Sequence, residues 1–272
     1  MDRRGFLSLA AVAAGTGLLL PEMVGPLKAA SAAETDALSP ETDALSAKFG
    51  ALSTDFESLS ATTKLKPRYP SGVIWNLPSK WPKVAWTIDD GGSAQALHNY
   101  IDFAHDTGTR LTFFVTSQNK PWRTVKKELL PLVKTGQIQL ANHTRSHLDL
   151  TKLAGWQIRR ELRDCRNFIQ DEYGVTPAPI FRPPFGYYDK RVMHEAAVEG
   201  WRSCVMWYGT LGDGSGITAA RRLQLASQWM TAGHLVIAHS NQVTSPSDLR
   251  RIRRMLDSRG LRTVTLDDTW RA

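Results

Sequence analysis

The stretch "WTIDDGG", residues 86–92, ends an apolar run in two adjacent carboxylates and two glycines. By itself it reads as a turn, because Asp and Gly are common turn residues. Farther along, "NHTRSH" sets His143 and His147 four residues apart, "FRPPFG" sets Arg182 before two prolines, and "VIAHS" carries His239 after an apolar run. Asp213 lies in "TLGDG". Two histidines and one carboxylate make three N/O ligands with a coordination position left open, the donor set of a catalytic zinc site. His143 and His147 fall one turn apart if their segment coils, so both can face one ion. One aspartate of the pair completes the ligand set and leaves its neighbour as a base for water that the ion acidifies. Arg182 can pair with that base and keep it ionised. His239 can protonate a leaving nitrogen while Asp213 holds the imidazole protonated and oriented. Metal-assisted hydrolysis of an amide or ester is the reaction class these groups fit.

Elements of the right kind must bring them together. From residue 83 onward, β-branched apolar runs recur at 84–88, 111–116, 138–141, 180–181, 203–207, 235–238 and 261–266. Segments of helical periodicity such as "SAQALHNYIDFAHDTG" and "PSDLRRIRRMLDSRG" lie between them, with glycines just past the helix ends. The alternation argues for parallel βα units and an α/β fold. About seven parallel strands suit a deformed (β/α) barrel of the TIM-barrel kind. The alternative is an open doubly wound sheet, but "DDGGSA" is no glycine-rich dinucleotide loop. In a βα barrel, chemistry gathers at the C-terminal ends of the strands. Asp89, Asp90, His143, His147, Arg182 and His239 all fall at such ends, with Asp213 beyond the fifth. His98, His105 and His194 fall on helices and His234 at a strand start, so none receives a role.

The remaining chain bounds the setting. It has 272 residues, 42% hydrophobic and 22% charged, enough for one sizeable domain with extensions. Residues 1–32 read as an export signal, with a charged start, a short apolar run and small residues near Ala30. Arg3-Arg4 before Gly5-Phe6-Leu7 looks like a twin-arginine signal. The expected location is therefore exported, extracellular or at the cell wall, with no stable membrane insertion after cleavage. Residues 33–80 carry Ser-rich heptads with Leu38, Leu45, Leu52 and Leu59 in one position, then a proline-punctuated linker. Residues 81–272 form the main domain. The formal charge is +8, with arginine clusters at 159–166 and 250–254. Solvated helix faces are the plainer reading; attraction to an anionic wall is the functional one. Nucleic acid is excluded as a partner for an exported chain. Cys165 and Cys204 are the only cysteines, either a disulfide or two buried thiols.

Five motifs in order resemble the polysaccharide deacetylases of carbohydrate esterase family 4, the NodB-homology domain: "TIDDGG", "RLTFFVTS", "HTRSH", "RPPFG" and "VIAHS". The resemblance spans residues 83 to 268. It implies a deformed (β/α) barrel holding a divalent metal, usually zinc, with cobalt or another divalent ion as alternatives. Asp89 then corresponds to the catalytic base, and Asp90, His143 and His147 to the metal ligands. Arg182 corresponds to the partner of the base, His239 to the general acid and the Phe185 backbone N–H to an oxyanion donor. The implied activity removes acetyl groups from a polysaccharide containing N-acetylglucosamine, peptidoglycan or chitin-like, or O-acetyl groups from others. One motif departs: where the family often has D-x-x-D-W, this chain has Thr210 and Gly214 around the surviving Asp213. That departure keeps open a glycan-binding protein impaired in turnover. Trp122, Tyr187, Tyr188, Trp207 and Tyr208 are candidates both for stacking on sugars and for plain packing.

Overall fold

The computed structural model describes residues 66–78, 82–214 and 216–272. The signal and the heptad segment lie outside the described residues. In chain order the strands are β1 (Gly72–Ile74), β2 (Lys83–Asp90), β3 (Leu111–Val115), β4 (Ile138–Asn142), β5 (Ile180–Phe181), β6 (Ser203–Val205), β7 (Gly209–Thr210), β8 (Leu235–His239) and β9 (Arg262–Val264). The helices are α1 (Ala94–Thr107), α2 (Pro121–Thr124), α3 (Lys126–Lys134), α4 (Gly155–Tyr173), α5 (Lys190–Val198), α6 (Ala219–Trp229) and α7 (Pro246–Ser258). All strand pairs are parallel. The order is β1-β6-β5-β4-β3-β2-β8-β7, with β9 paired to the start of β2.

The result is a half-barrel of parallel strands wrapped by helices. The seven expected strands are present among the described residues, and two short ones, β1 and β7, join them. Both exist through pairing, with β6 and β8, rather than through an apolar run of their own. The run at 203–207 also stops early as a strand, at Val205.

Residues 66–78, assigned above to the linker, belong to the domain. β1 pairs with β6, Tyr69 packs on Trp270 at 5.5 Å, and its hydroxyl donates to Asp267 at 2.7 Å. The boundary moves because buried Tyr69, Ile74 and Leu77 follow no strand or helix period among the surrounding prolines.

Two packed layers follow from a period of two. On β2, Val84, Trp86 and Ile88 pack outward with Leu97, Tyr100 and Phe103 of α1. Ala85 faces inward with Phe114, Ala141, Ile180, Val205 and Leu235. Helix ends carry the expected signals: the Ser93 hydroxyl accepts from Ala96 N–H at 3.2 Å, and Gly108 closes α1 in the left-handed conformation.

Four of the eight arginines in the two clusters meet acids on neighbouring elements. Arg159 pairs with Glu195, Arg163 and Arg166 with Glu199, and Arg250 with Asp106. That pattern fits the reading as helix faces. Cys165 and Cys204 are buried free thiols, each pushed up to about 12 by burial. Among the described residues, no helix is long and apolar enough to cross a membrane.

Candidate active site

Strand parity explains how the two acids reach one site. Inward residues of β2 are odd-numbered, so Asp89 points into the barrel and Asp90 should point out among the helices. Asp90 instead takes φ 79°, a left-handed backbone that turns it over the rim. Such a conformation costs a non-glycine residue of order 1–3 kcal/mol and persists only where its surroundings hold it. Here the Asp90 carbonyl accepts three bonds: from Thr116 N–H at 3.3 Å, Asn119 Nδ2 at 2.9 Å and Trp122 Nε1 at 3.0 Å. Gly91 follows at φ 79°, with the Trp122 indole so close that a Cβ there would sit 2.2 Å from it. The glycines therefore let the chain turn under the site over a buried tryptophan.

Asp90 Oδ1 meets His143 Nε2 at 3.3 Å and His147 Nε2 at 3.2 Å, and the three donor atoms lie within 4.8 Å of one another. That oxygen is buried and makes no hydrogen bond of its own, while Asn241 Nδ2 holds Oδ2 at 2.6 Å. His143 Nδ1 faces the Arg182 carbonyl at 2.7 Å. An Nδ1–H donated there leaves the Nε2 lone pair for a metal, the usual way a ligand histidine is oriented. Burial opposes the charge on Asp90, but the two imidazoles outweigh it and hold its carboxyl well below the carboxylate range. His143 is likewise pushed down by burial but raised on balance by the charge on Asp89 and the bond to Asp90. The cluster attracts positive charge, and its donors fit a divalent cation. His147 reaches it from a left-handed backbone, φ 56°, rather than from a helical turn. The expectation that the segment coils is corrected there: the side chains converge without a helix.

Asp89 is gripped from behind. Arg182 Nη1 donates to its Oδ1 at 2.6 Å and to Thr87 Oγ1 at 2.9 Å, while Nε and Nη2 donate to the Val205 and Met206 carbonyls at 3.0 and 3.1 Å. The guanidinium is fully buried, 4.0 Å from the centre of the Phe114 ring. Burial lowers its pKa, opposed chiefly by Asp89.

Across the site, β8 lies in register with β2, and Asp89 is directly opposite His239. His239 Nδ1 meets Asp213 Oδ1 at 3.2 Å, and the same oxygen accepts the His239 N–H at 3.0 Å. Burial pulls the His239 pKa down, but the Asp213 hydrogen bond and the Asp89 charge raise it on balance. Phe185 sits at φ 61° between two prolines and Gly186, in a turn closed by Gly186 and Tyr187 N–H onto the Pro183 and Pro184 carbonyls. The Phe185 N–H takes no part in those two bonds.

These groups line one cleft of about 470 Å³, together with Trp207, Thr210, Gly214 and Ile237. All the residues expected to do chemistry lie in it or directly behind it. The stacking candidates divide: Trp122 is fully buried beneath Asp90, Tyr188 packs against the core, Trp207 lines the cleft, and Tyr208 packs 4.0 Å from His234 at the opposite rim. Sequence reasoning missed Asn241 and Asn119, whose side chains hold Asp90, and Thr87, whose hydroxyl accepts from Arg182. Asn241 lies two residues beyond His239, a proximity that was its one available signal.

The sequence profile of the polysaccharide deacetylases matches residues 77–203. The matched stretch contains Asp89 through Phe185 and stops short of Asp213 and His239. A peptidoglycan-N-acetylglucosamine deacetylase of Bacillus cereus is 24% identical over 210 residues, covering 74% of this chain and 95% of its own. Two solved structures share the fold. One, of a peptidoglycan N-acetylglucosamine deacetylase with a bound N-oxidanyl-benzamide, superposes with a TM-score of 0.65 at 21% identity, covering 74% of this chain and 93% of that one. The other, a family 4 pseudoenzyme from Bacillus anthracis, gives 0.64 at 18% identity, covering 74% and 69%. The profile match over residues 77–203, the half-barrel and the Asp-His-His cluster at its rim make this chain similar to the polysaccharide deacetylases of carbohydrate esterase family 4.

Proposed function

We propose that this protein is a metal-dependent deacetylase that removes acetyl groups from an N-acetylglucosamine-containing polysaccharide, peptidoglycan or a chitin-like polymer, outside the cytoplasm. One observation carries the reading: a buried Asp89–Arg182 pair and a raised His239 on Asp213 flank the Asp90-His143-His147 cluster in a single cleft. Relatives named for peptidoglycan support the substrate class. The export signal read in residues 1–32 supports the location.

Asp90, His143 and His147 would hold the ion, and their one-carboxylate, two-imidazole chemistry favours zinc. Bound there, it would polarise the amide carbonyl and acidify water. Asp89 takes the proton from the attacking water. Arg182 holds one oxygen of that carboxylate and leaves the other for the cleft. The Phe185 N–H donates to the carbonyl oxygen as it gains charge. His239 gives its proton to the departing amine, and Asp213 fixes the ring with Nε2 turned to the cleft.

A second reading is favoured by Thr210 and Gly214 in the altered fourth motif: a wall-binding protein on this fold without turnover. Acetate release from N-acetylglucosamine oligomers and purified peptidoglycan separates the two. Activity lost on chelation and restored by zinc is expected. Saturable glycan binding with no acetate, metal bound, gives the second reading instead.

The pH profile tests the acid. Because the His239 pKa is raised, its proton persists above the ordinary histidine range, and the rate should fall as pH rises through that elevated value. Asp213→Asn removes the main raising influence, so the alkaline limb of kcat/KM should move toward lower pH. An unmoved limb would remove Asp213 from this role.

A further inference from the structure

We propose that Phe185 and Tyr187 form a sugar-stacking ledge at the mouth of the cleft, which binds the residue next to the one being deacetylated and so selects chains over monomers. The inference rests on the glycan reading above. Phe185 and Tyr187 are 57% and 56% exposed. Exposed aromatic surface beside a cleft marks a contact surface more often than an isolated apolar residue does. The Phe185 ring packs edge-on to His147 with centroids 4.7 Å apart, so it borders the metal cluster directly. Tyr187 continues the surface outward, its ring 5.8 Å from Phe185 and tilted by 41°.

The ledge is rigid. Pro183 and Pro184 restrict the turn, and Phe185 and Gly186 both take left-handed backbones, φ 61° and 70°. Trp207 packs close beneath Gly186, where a Cβ would lie 2.8 Å from the indole. A turn held in a costly conformation, with its aromatic rings left in solvent, is preorganised for a ligand that covers them. A pyranose suits the rings: its axial C–H face lies on the negative π face, and its hydroxyls stay in water.

The test is calorimetric titration of the zinc-loaded Asp89→Asn protein, which does not turn substrate over, with N-acetylglucosamine and with its tetramer. Tyr187→Ala on this background should weaken tetramer binding about 10-fold, a shift that one lost stacking contact supplies. Monomer binding should change less than 2-fold by the same reasoning, and Tyr187→Phe should restore the tetramer affinity. Tyr208→Ala, equally exposed but beside His234 at the opposite rim, should change neither. No tetramer binding by the parent, an unchanged tetramer affinity in Tyr187→Ala, or equal losses for both ligands would each overturn the ledge. Failure of the deacetylase reading appears elsewhere, as wild-type protein that binds the tetramer through Tyr187 and releases no acetate.

Discussion

Asp89→Asn should lower kcat/KM for acetate release by about a thousandfold while zinc uptake stays within about 2-fold of wild type, the scale a positioned general base contributes. Asparagine keeps the shape and one acceptor oxygen, so the 2.6 Å contact with Arg182 can survive. What it loses is the ability to take a proton. The result also decides a question of assignment, because Asp89 Oδ2 is only 3.6 Å from His143 Nε2, against 3.3 Å for Asp90 Oδ1. If Asp89 were the ligand, its replacement would strip the metal, and Asp90→Asn would spare it. The structure argues for the stated order. Arg182 holds one Asp89 oxygen, whereas Asp90 keeps Oδ1 free of hydrogen bonds between two imidazoles. Metal analysis of both variants, beside steady-state rates, reads the difference. Loss of zinc from Asp89→Asn would exchange the two roles.

Much of this site was legible because Asp89, Asp90 and His239 end strands and His143 and Arg182 directly follow them, and strand ends are where a period of two breaks. Asp89 and His239 follow directly from parity: both are inward positions of neighbouring parallel strands. Asp90 does not follow. Parity turns it outward, and only its left-handed backbone, held by Asn119 and Trp122, brings it back. No local pattern in "IDDGG" announces that, since the donors come from about thirty residues away. His147 is similar: spacing suggested a helical turn, and a left-handed backbone achieves the convergence instead. The short strands β1 and β7 were invisible because they exist through pairing with β6 and β8 and have no periodicity of their own. Tertiary partners, rather than residue preferences, write these features.

Arg182→Met should cost about 3 to 5 kcal/mol of folding stability, because it strips the counter-charge from a buried carboxylate. Methionine fills most of the space beside Phe114, so the loss is electrostatic more than steric. It also leaves the Val205 and Met206 carbonyls without the donors they now accept from. Denaturant midpoints of the apo-protein measure the effect, and a loss under about 1 kcal/mol would mean that water replaces the guanidinium. The double variant Asp89→Asn/Arg182→Met carries the sharper consequence. Removing both partners of a buried pair is often nearly neutral, since neither charge is left stranded. The double variant should therefore be more stable than Arg182→Met alone, a coupling that a double-mutant cycle isolates. Yet it should be as inactive as Asp89→Asn. A protein that folds about as well without the pair, and catalyses nothing without it, keeps the pair for its chemistry. Its burial then has one purpose: to hold the carboxylate at a fixed angle to the cleft, where an exposed one would swing and be shared with solvent.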